Sequence, residues 1–302
     1  MYNIDIYNTK IEHNNMIYSI DKIRLKTYCT FQQFKELENY FRLYFNNMIK
    51  KYWISDRKNS FHYNYNIEIE EGKSFIFQFL HNTEKYSFNS SEEEFNFTIE
   101  FNPNKLKNSP LLLHILNSFS FWYLRSFDLA IDIPINILDI LFDKKNKRSY
   151  KIFSSGGDNM TYYIGTKEKD GSIKIYNKKI ESNLNIVGNL TRVEITRKYD
   201  DLPIASINNY NFGDQFLPSL FLNQYVFSFS DITTKDKTML AILYAVQSGF
   251  PLSELSRRYR EKVENMLESG SKIQFDKKIA NQTLLECIFY YFATKESKQI
   301  IM

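Results

Sequence analysis

Hydrophobic and polar residues alternate along several stretches of this chain, and each such stretch predicts a half-buried β-strand. The clearest one covers residues 127–134, where Leu129, Ile131 and Ile133 share one face. Residues 95–101 alternate phenylalanine and isoleucine with asparagine, threonine and glutamate in the same way. Further strands are predicted at 21–29, 62–70, 74–81, 150–154, 161–165, 172–176 and 191–197. The chain is therefore predicted to be rich in β-sheet.

Apolar residues at helical spacing predict a helix over about 31–52, with Thr30 as its N-cap. Short helices are predicted at 111–119 and 137–142. Beyond residue 200 the pattern predicts a helix at 237–247, a second one capped by Ser253, and a third at 280–296. The first two are joined by a short glycine-containing turn, as in a helix-turn-helix, although a plain helical hairpin has the same pattern.

The order strand, helix, three strands occurs twice, before and after about residue 120. We therefore predict an α+β fold in which two related antiparallel-sheet-plus-helix halves, about 1–120 and 121–200, form a catalytic domain. Residues 201–302 are predicted to form a mainly helical C-terminal region for DNA binding or oligomerisation. The residue identities do not repeat, so the prediction concerns the architecture alone.

Composition narrows the possible classes of protein. The 302 residues are long enough for a sizeable core, and the net charge of +4 permits nucleic-acid binding without requiring it. Cys29 and Cys287 form no metal-binding pair and no disulfide framework. There is no signal-like N-terminus and no run of about 18 apolar residues, so we expect a soluble, cytoplasmic protein with no membrane partner.

The polar face of the 127–134 strand carries two carboxylates. Asp128 and Asp132 lie on the face opposite the apolar residues, and the small Ala130 lies between them. Such a pair would suit a metal ligand set. The alternative is that both are solvated or prevent edge pairing with another sheet.

A tyrosine with two neighbouring lysines occurs in residues 172–179. Alternation places Lys174, Tyr176 and Lys178 on one polar face. The positive field of the lysines is expected to favour the phenolate and to bind phosphate. The alternative is a packing tyrosine with a solvated hydroxyl.

Glu194 lies on the polar face of the last predicted strand with Arg192. It would be an ion-pair partner of Arg192 or Lys174, or it would join Asp128 and Asp132 in binding Mg²⁺ or Mn²⁺ through hard oxygen ligands. With Tyr176 as the nucleophile, this set suits cleavage of a DNA phosphodiester to a 5′-phosphotyrosine and a free 3′-OH. The four histidines form no His-x-His pair, so a two-histidine metal motif is absent.

Two basic clusters are candidates for contacts with DNA. The second C-terminal helix carries Arg257, Arg258, Arg260 and Lys262, which we expect to contact duplex phosphates. A loop carries Lys144, Lys145, Lys147 and Arg148, for which a solvated charge run is the alternative.

Four short motifs occur in an order that resembles the rolling-circle replication initiators of small Gram-positive plasmids, the Rep-trans family, and the related MOB-T relaxases. These motifs are 127–132 (FDLAID), 161–165 (TYYIG), 175–178 (IYNK) and 192–195 (RVEI), and 99–105 (IEFNPNK) adds a fifth. The similarity spans about 95–198. It implies a relaxase-like nicking domain that acts at an origin with a tyrosine and a carboxylate-bound divalent metal, usually as a homodimer that recruits a host helicase.

Carried over by position, the resemblance gives Tyr176 the role of the nucleophile and Asp128, Asp132 and Glu194 the acidic roles. Relatives often have a second tyrosine a few residues later, where this chain has Ile180. That departure leaves Tyr163 as a reserve candidate for the nucleophile.

Two alternatives to a nicking enzyme stay open from the sequence. One is a non-catalytic initiator or regulator that binds DNA through the same basic clusters. The other is a protein-binding scaffold, which would have no salt-dependent affinity for DNA.

Overall fold

The structure is a computed structural model that describes residues 9–44, 51–54, 63–80, 94–142, 150–156, 158–167, 169–182, 188–218, 220–222, 237–247, 250, 252–269 and 272–292. Over these residues the chain has a mixed α+β fold with a large antiparallel sheet. None of the described helices is long and apolar enough to span a bilayer.

The strands and helices are numbered in chain order. The large sheet contains β1 (Lys10–His13), β2 (Met16–Thr30), β3 (Lys51–Ile54), β4 (Tyr63–Glu70), β5 (Lys73–Leu80), β6 (Glu94–Phe101), β7 (Tyr123–Ile133), β9 (Tyr150–Ser154), β10 (Met160–Ile164), β11 (Ile173–Asn177) and β12 (Thr191–Pro203). A small sheet contains β8 (Ile140–Phe142), β13 (Leu220–Leu222) and β14 (Lys272–Ile273). The helices are α1 (Phe31–Tyr44), α2 (Pro110–Asn117), α3 (Lys178–Glu181), α4 (Lys237–Gln247), α5 (Arg257–Ser269) and α6 (Lys277–Phe292).

The strand pairing with the longest separation in sequence, that of β2 with β7, lies at the centre of the large sheet. Its order is β3-β4-β5-β6-β2-β7-β12-β11-β10-β9, and β1 pairs with β2. Counted outward from β2, the strands are β6, β5, β4 and β3; counted outward from β7, they are β12, β11, β10 and β9. The same sequence of connections therefore surrounds each of the two central strands.

One face of the large sheet is apolar and holds the core. Helix α1 packs there through Phe34, whose ring stacks on that of Phe79 with centroids 4.4 Å apart. Helix α6 packs through Tyr291, whose ring meets that of Phe101 at 5.1 Å. Burial of these aromatic side chains stabilises the packing of the helices on the sheet. The opposite face carries the polar positions predicted from the alternation.

Local capping explains where helix α2 begins. Ser109 has an extended backbone, and its side chain accepts a hydrogen bond from the N–H of Leu112. Pro110 occupies the first helical position, where its missing N–H costs nothing. The apolar residues of this short helix then reach the sheet core.

Several sequence-based boundaries are wrong. Helix α1 is described as far as Tyr44, and Lys51–Ile54, where the predicted helix was to end, is instead an edge strand that pairs with β4. Only Ile137–Asp139 forms a 3₁₀ turn, and Ile140–Phe142 continues as strand β8 where a helix was predicted. Strand β2 begins at Met16, five residues before the predicted strand at 21–29. In each case pairing with another strand decides the conformation.

The C-terminal helices have two different environments. Met239 and Leu243 of α4 pack with Val263 of α5 in a small separate cluster. Helix α5 begins at Arg257, and Ser253 lies in a preceding 3₁₀ turn, so Ser253 is not its N-cap as predicted. Helix α6 instead shares the main core of the large sheet. The domain boundary near residue 200 stays a prediction.

Candidate active site

Three neighbouring strands bring the predicted site residues onto the polar face of the sheet. In the pairing of β11 with β12, Tyr176 lies opposite Arg192, and in the pairing of β12 with β7, Arg192 lies opposite Asp132. One row further along, Lys174 lies opposite Glu194. Because opposite residues of an antiparallel pair point to the same side, these five side chains form one cluster.

The hydroxyl of Tyr176 is bound by a carboxylate. It donates a hydrogen bond of 2.5 Å to Oε1 of Glu194, its diagonal neighbour on β12. Tyr176 is only 2% exposed. The ammonium group of Lys174 lies 3.8 Å from the centre of the tyrosine ring, and that of Lys178 lies 5.6 Å from it. Glu194 and Lys174 thus contact the predicted nucleophile, Tyr176, and Lys178 lies close to its ring.

The protonation state of this cluster differs from the prediction. Burial raises the pKa of Tyr176 well above its usual value, and the neighbouring Glu194 carboxylate raises it further. The expectation that the lysines favour the phenolate is therefore wrong for the protein without DNA. Burial also raises the pKa of Glu194, which makes this carboxylate a stronger base than an exposed glutamate.

Lys178 reaches the cluster from a helix, not from the strand face where alternation placed it. Strand β11 ends at Asn177, whose side chain caps the short helix α3 by accepting a hydrogen bond from the N–H of Ile180. The Lys178 ammonium lies 2.9 Å from Glu181, and the same glutamate lies 4.0 Å from Lys174. Glu181 therefore partly neutralises both lysines above the tyrosine.

Asp132 forms a buried ion pair. Its two oxygens accept hydrogen bonds from Nε and Nη2 of Arg192 at 2.5 and 2.7 Å. Nη1 of Arg192 also donates to Asp21 at 3.2 Å, and Asp21 accepts a further bond from Asn102. This network holds the polar ends of β2, β7 and β12 together.

The three carboxylates predicted to bind metal do not share a site. Asp128 pairs with Lys22 at 3.0 Å, Asp132 with Arg192, and Glu194 with Tyr176. In the described part of the chain, no group of three or more histidine, cysteine, aspartate or glutamate side chains is arranged to hold a metal ion. Of these three carboxylates, that of Asp128 has a buried oxygen, Oδ1, without a hydrogen-bond partner.

The reserve tyrosine lies on the same face but outside this cluster. Tyr163 on β10 is the cross-strand partner of Lys174, and its ring meets that of Phe153 edge-on at 5.7 Å. It makes no hydrogen bond to Glu194, whose Oε1 is taken by Tyr176. The geometry therefore favours Tyr176 as the residue with an adjacent base.

Of the two basic clusters predicted to contact DNA, only the one on α5 lies in the described part of the chain. Arg258 and Lys262 are exposed on α5, and Arg257 pairs with Glu261 at 2.7 Å. Arg260 is half-buried on the same helix. The loop with Lys144, Lys145, Lys147 and Arg148 lies outside the described residues, as do His62 and His81.

Two residues of the site were missed at the sequence level. Asp21 lies at an irregularity in the pairing of β2 with β7, which alternation does not indicate. Glu181 follows Lys178 by three positions, a spacing that brings side chains together on a helix, and that spacing was a usable signal.

Comparison with known proteins supports the resemblance seen in the motifs. Over 188 residues the chain is 31% identical to a replication initiation protein of Staphylococcus aureus, a match that covers 59% of this chain and 56% of that protein. Two further replication initiation proteins of the same organism are 34% identical over 115 residues, or 35% of this chain. The matches thus span about half or less of these relatives. No family model matches the chain.

A solved structure, that of the rolling circle replication initiator protein from Geobacillus stearothermophilus, aligns with 87% of this chain and 99% of its own. The TM-score is 0.37 and the sequence identity 11%. Over part of its length the chain is thus similar to replication initiation proteins, in agreement with the resemblance of the motifs.

Proposed function

We propose that this chain is a rolling-circle replication initiator that binds an origin and nicks one DNA strand through Tyr176. The observation that carries the proposal is the contact of the Tyr176 hydroxyl with Glu194, in a chain related to replication initiation proteins. A nucleophile held by an adjacent base is the arrangement that covalent catalysis requires.

The proposed chemistry uses the residues of the cluster. Glu194 takes the proton of Tyr176 as the phenolic oxygen attacks phosphorus. The bond from phosphorus to the 3′ oxygen breaks, and that oxygen takes a proton from solvent. The products are a 5′-phosphotyrosine and a free 3′-OH. Lys174 and Lys178 would move from the tyrosine ring to the phosphate and offset its charge, which also exposes the hydroxyl.

The divalent metal, Mg²⁺ or Mn²⁺, stays a prediction with a changed ligand set. Asp128, Asp132 and Glu194 do not fit a common site, because Asp132 has both oxygens bound to Arg192. The unpartnered Oδ1 of Asp128 fits a hard cation, which would polarise a phosphate. The proton transfer to Glu194 and the attack of Tyr176 on phosphorus are described without this cation.

The proposed partners are origin DNA, a second copy of the chain and a host helicase. Arg257, Arg258, Arg260 and Lys262 of α5 would contact duplex phosphates outside the nicking site. These contacts would position the origin without contributing to the chemistry.

The experiment that tests the proposal is incubation with single-stranded or supercoiled origin DNA and Mg²⁺ or Mn²⁺. We expect a covalent protein–DNA adduct that Tyr176→Phe abolishes and Tyr163→Phe retains. Adduct loss in Tyr163→Phe alone would transfer the role of the nucleophile to Tyr163.

A second candidate function is a non-catalytic DNA-binding initiator or regulator. The deep burial of Tyr176 and its raised pKa favour this alternative. The same assay separates the two, because tight origin binding with intact DNA under every metal contradicts nicking. Binding that does not weaken with salt contradicts both functions.

A further inference from the structure

The central strands β2 and β7 carry two different clusters at opposite ends of the polar face. At one end Asp132 of β7 belongs to the cluster around Tyr176, which we call the Tyr176 cluster. At the other end Tyr123, the first residue of β7, lies opposite Lys26 of β2. Nine residue steps separate Tyr123 from Asp132, which corresponds to about 30 Å along a strand. The second cluster is thus outside the proposed active site.

Aromatic rings are exposed at this second end. Phe121, just before β7, is 75% exposed, and Tyr28 of β2 is 40% exposed. The ring of Tyr28 meets that of Tyr123 edge-on, with centroids 6.0 Å apart. We refer to Tyr28, Phe121 and Tyr123 as the aromatic patch. The backbone oxygen of Phe121 accepts a hydrogen bond from the hydroxyl of Thr27, the residue before Tyr28, so the three residues lie at the same end of the strand pair. Exposed aromatic residues close together are typical of binding surfaces.

Two cations flank the aromatic patch and share one carboxylate. The Lys26 ammonium lies 2.6 Å from Asp201 and 4.5 Å from the centre of the Tyr28 ring. Arg125 lies 2.7 Å from the other oxygen of Asp201. The group therefore keeps a net positive charge beside the rings.

The backbone conformation of Asp201 places its carboxylate between Lys26 and Arg125. It has a φ of 57° at the irregularity between Lys198 and Leu202, where β12 departs from its regular pairing with β7. Aspartate tolerates this left-handed conformation better than most residues. Asp201 thus holds Lys26 and Arg125 side by side, and both are cations of the kind that bind phosphate groups.

A line of basic residues leads from the aromatic patch toward the Tyr176 cluster. Lys22, Arg24 and Lys26 alternate along β2 on the polar face, about 7 Å apart. Lys22 pairs with Asp128, and Arg24 donates to Gln78. An extended polyanion lying along β2 would meet these side chains in succession.

Topology relates the two ends of the strand pair. The aromatic patch lies near the C-terminal end of β2, and the Tyr176 cluster lies near the C-terminal end of β7. The strands outward from β2 and from β7 follow in the same order. The residues at the two ends differ, however. Across the sheet from Lys26 the next residues are Thr98 and Gln78. Across the sheet from Asp132 they are Arg192 and Tyr176.

We propose that the aromatic patch, with Lys26 and Arg125, binds single-stranded DNA at a site separate from Tyr176. Unpaired bases stack on exposed rings, and cations beside the rings bind the backbone phosphates. Bases of a duplex are stacked on each other and do not offer their faces in this way. The inference rests on the proposed function, because it takes DNA to be the ligand.

The test is fluorescence anisotropy with a labelled oligothymidine long enough to cover both sites. We expect Phe121→Ala and Tyr28→Ala to weaken binding by about 5- to 100-fold each, which is the effect of one lost stacking ring. Tyr28→Phe keeps the ring and should restore most of the affinity. Leu43→Ala is the matched control, since Leu43 is 77% exposed on α1, which packs on the opposite face.

A second measurement separates this inference from the proposed nicking. On an origin oligonucleotide too short to reach the aromatic patch, the Phe121 and Tyr28 variants should form the tyrosine adduct as fast as wild type. Wild-type oligothymidine affinity in both variants, with nicking intact, overturns this inference alone. A wild-type chain that neither binds oligothymidine nor forms an adduct overturns the proposed function as well.

Discussion

The hydroxyl of Tyr176 donates a hydrogen bond to Oε1 of Glu194 across strands β11 and β12. The two residues are diagonal neighbours, because Tyr176 is opposite Arg192 and Glu194 is opposite Lys174. The contact therefore follows from strand register, and a one-residue shift of β11 against β12 would place the two side chains on opposite faces of the sheet. In the proposed mechanism this contact gives Glu194 the role of proton acceptor, where the sequence predicted a metal ligand.

Glu194→Gln is expected to slow nicking by about 10²- to 10⁴-fold, the usual contribution of a general base. Origin binding should change little, because Gln still accepts the hydroxyl hydrogen bond. Adduct formation under single-turnover conditions measures the effect. Glu100→Gln is a suitable control, since Glu100 lies opposite Arg24 on the same face but in the other half of the sheet.

The pH dependence of nicking should report Glu194. Because burial raises the pKa of Glu194, its base form is lost at a higher pH than for an ordinary glutamate. The wild-type rate should rise with pH through this raised pKa, and Glu194→Gln should lose that rise. A pH profile that is identical in both proteins contradicts Glu194 as the base.

The same raised pKa fixes the sign of a stability effect. A carboxyl whose pKa is higher in the folded state favours folding while protonated, and this contribution is lost as pH rises through the folded pKa. Relative to Glu194→Gln, the wild type should lose stability above the ordinary glutamate range. Thermal unfolding of both proteins across pH measures the difference, and parallel curves contradict the prediction.

Asp132→Asn is expected to cost about 3–5 kcal/mol of unfolding free energy, because it removes the two-point carboxylate partner of the buried Arg192 and leaves it only the 3.2 Å contact with Asp21. Urea unfolding measures this loss. Glu261→Gln, which breaks the exposed pair with Arg257, should cost less than about 1 kcal/mol. Equal losses in the two variants would show that Asp132 is not a structural ion-pair residue.

Lys178→Ala should slow nicking by about 10- to 100-fold if its charge passes from the tyrosine ring to the phosphate. Lys179→Ala is the matched control on the same helix, because Lys179 donates only to the backbone oxygen of Gly188 in the described contacts. The single-turnover rate on origin DNA decides between them. Similar losses in both variants would indicate a general effect of charge.

Asp128→Asn tests the metal prediction. Loss of one ligand oxygen should raise the Mg²⁺ or Mn²⁺ concentration needed for half-maximal nicking by about tenfold or more. Thermal stability and origin binding without metal provide the control for folding. An unchanged metal dependence would mean that Asp128 binds no metal in the reaction.

Most strands, and the face on which most of the candidate polar residues lie, could be predicted from alternation alone, with Lys178 as an exception. Leu129, Ile131 and Ile133 are buried in the core as predicted, and Tyr176 and Glu194 do lie on the opposite face. The strands at 51–54 and 140–142, both predicted as helix ends, could not be predicted because each depends on pairing with another strand, β4 in the first case and the distant β13 in the second.

The sequence by itself determined which residue types share a face, since side chains alternate with a period of two along any strand. Tertiary structure decided their partners. Strand register placed Glu194 in contact with Tyr176 and Arg192 in contact with Asp132. The bulge in β12 placed Asp201 between Lys26 and Arg125. The physical reason is that hydrogen-bonded register is a long-range property, and in a buried site each charge takes the nearest opposite charge or hydrogen-bond donor.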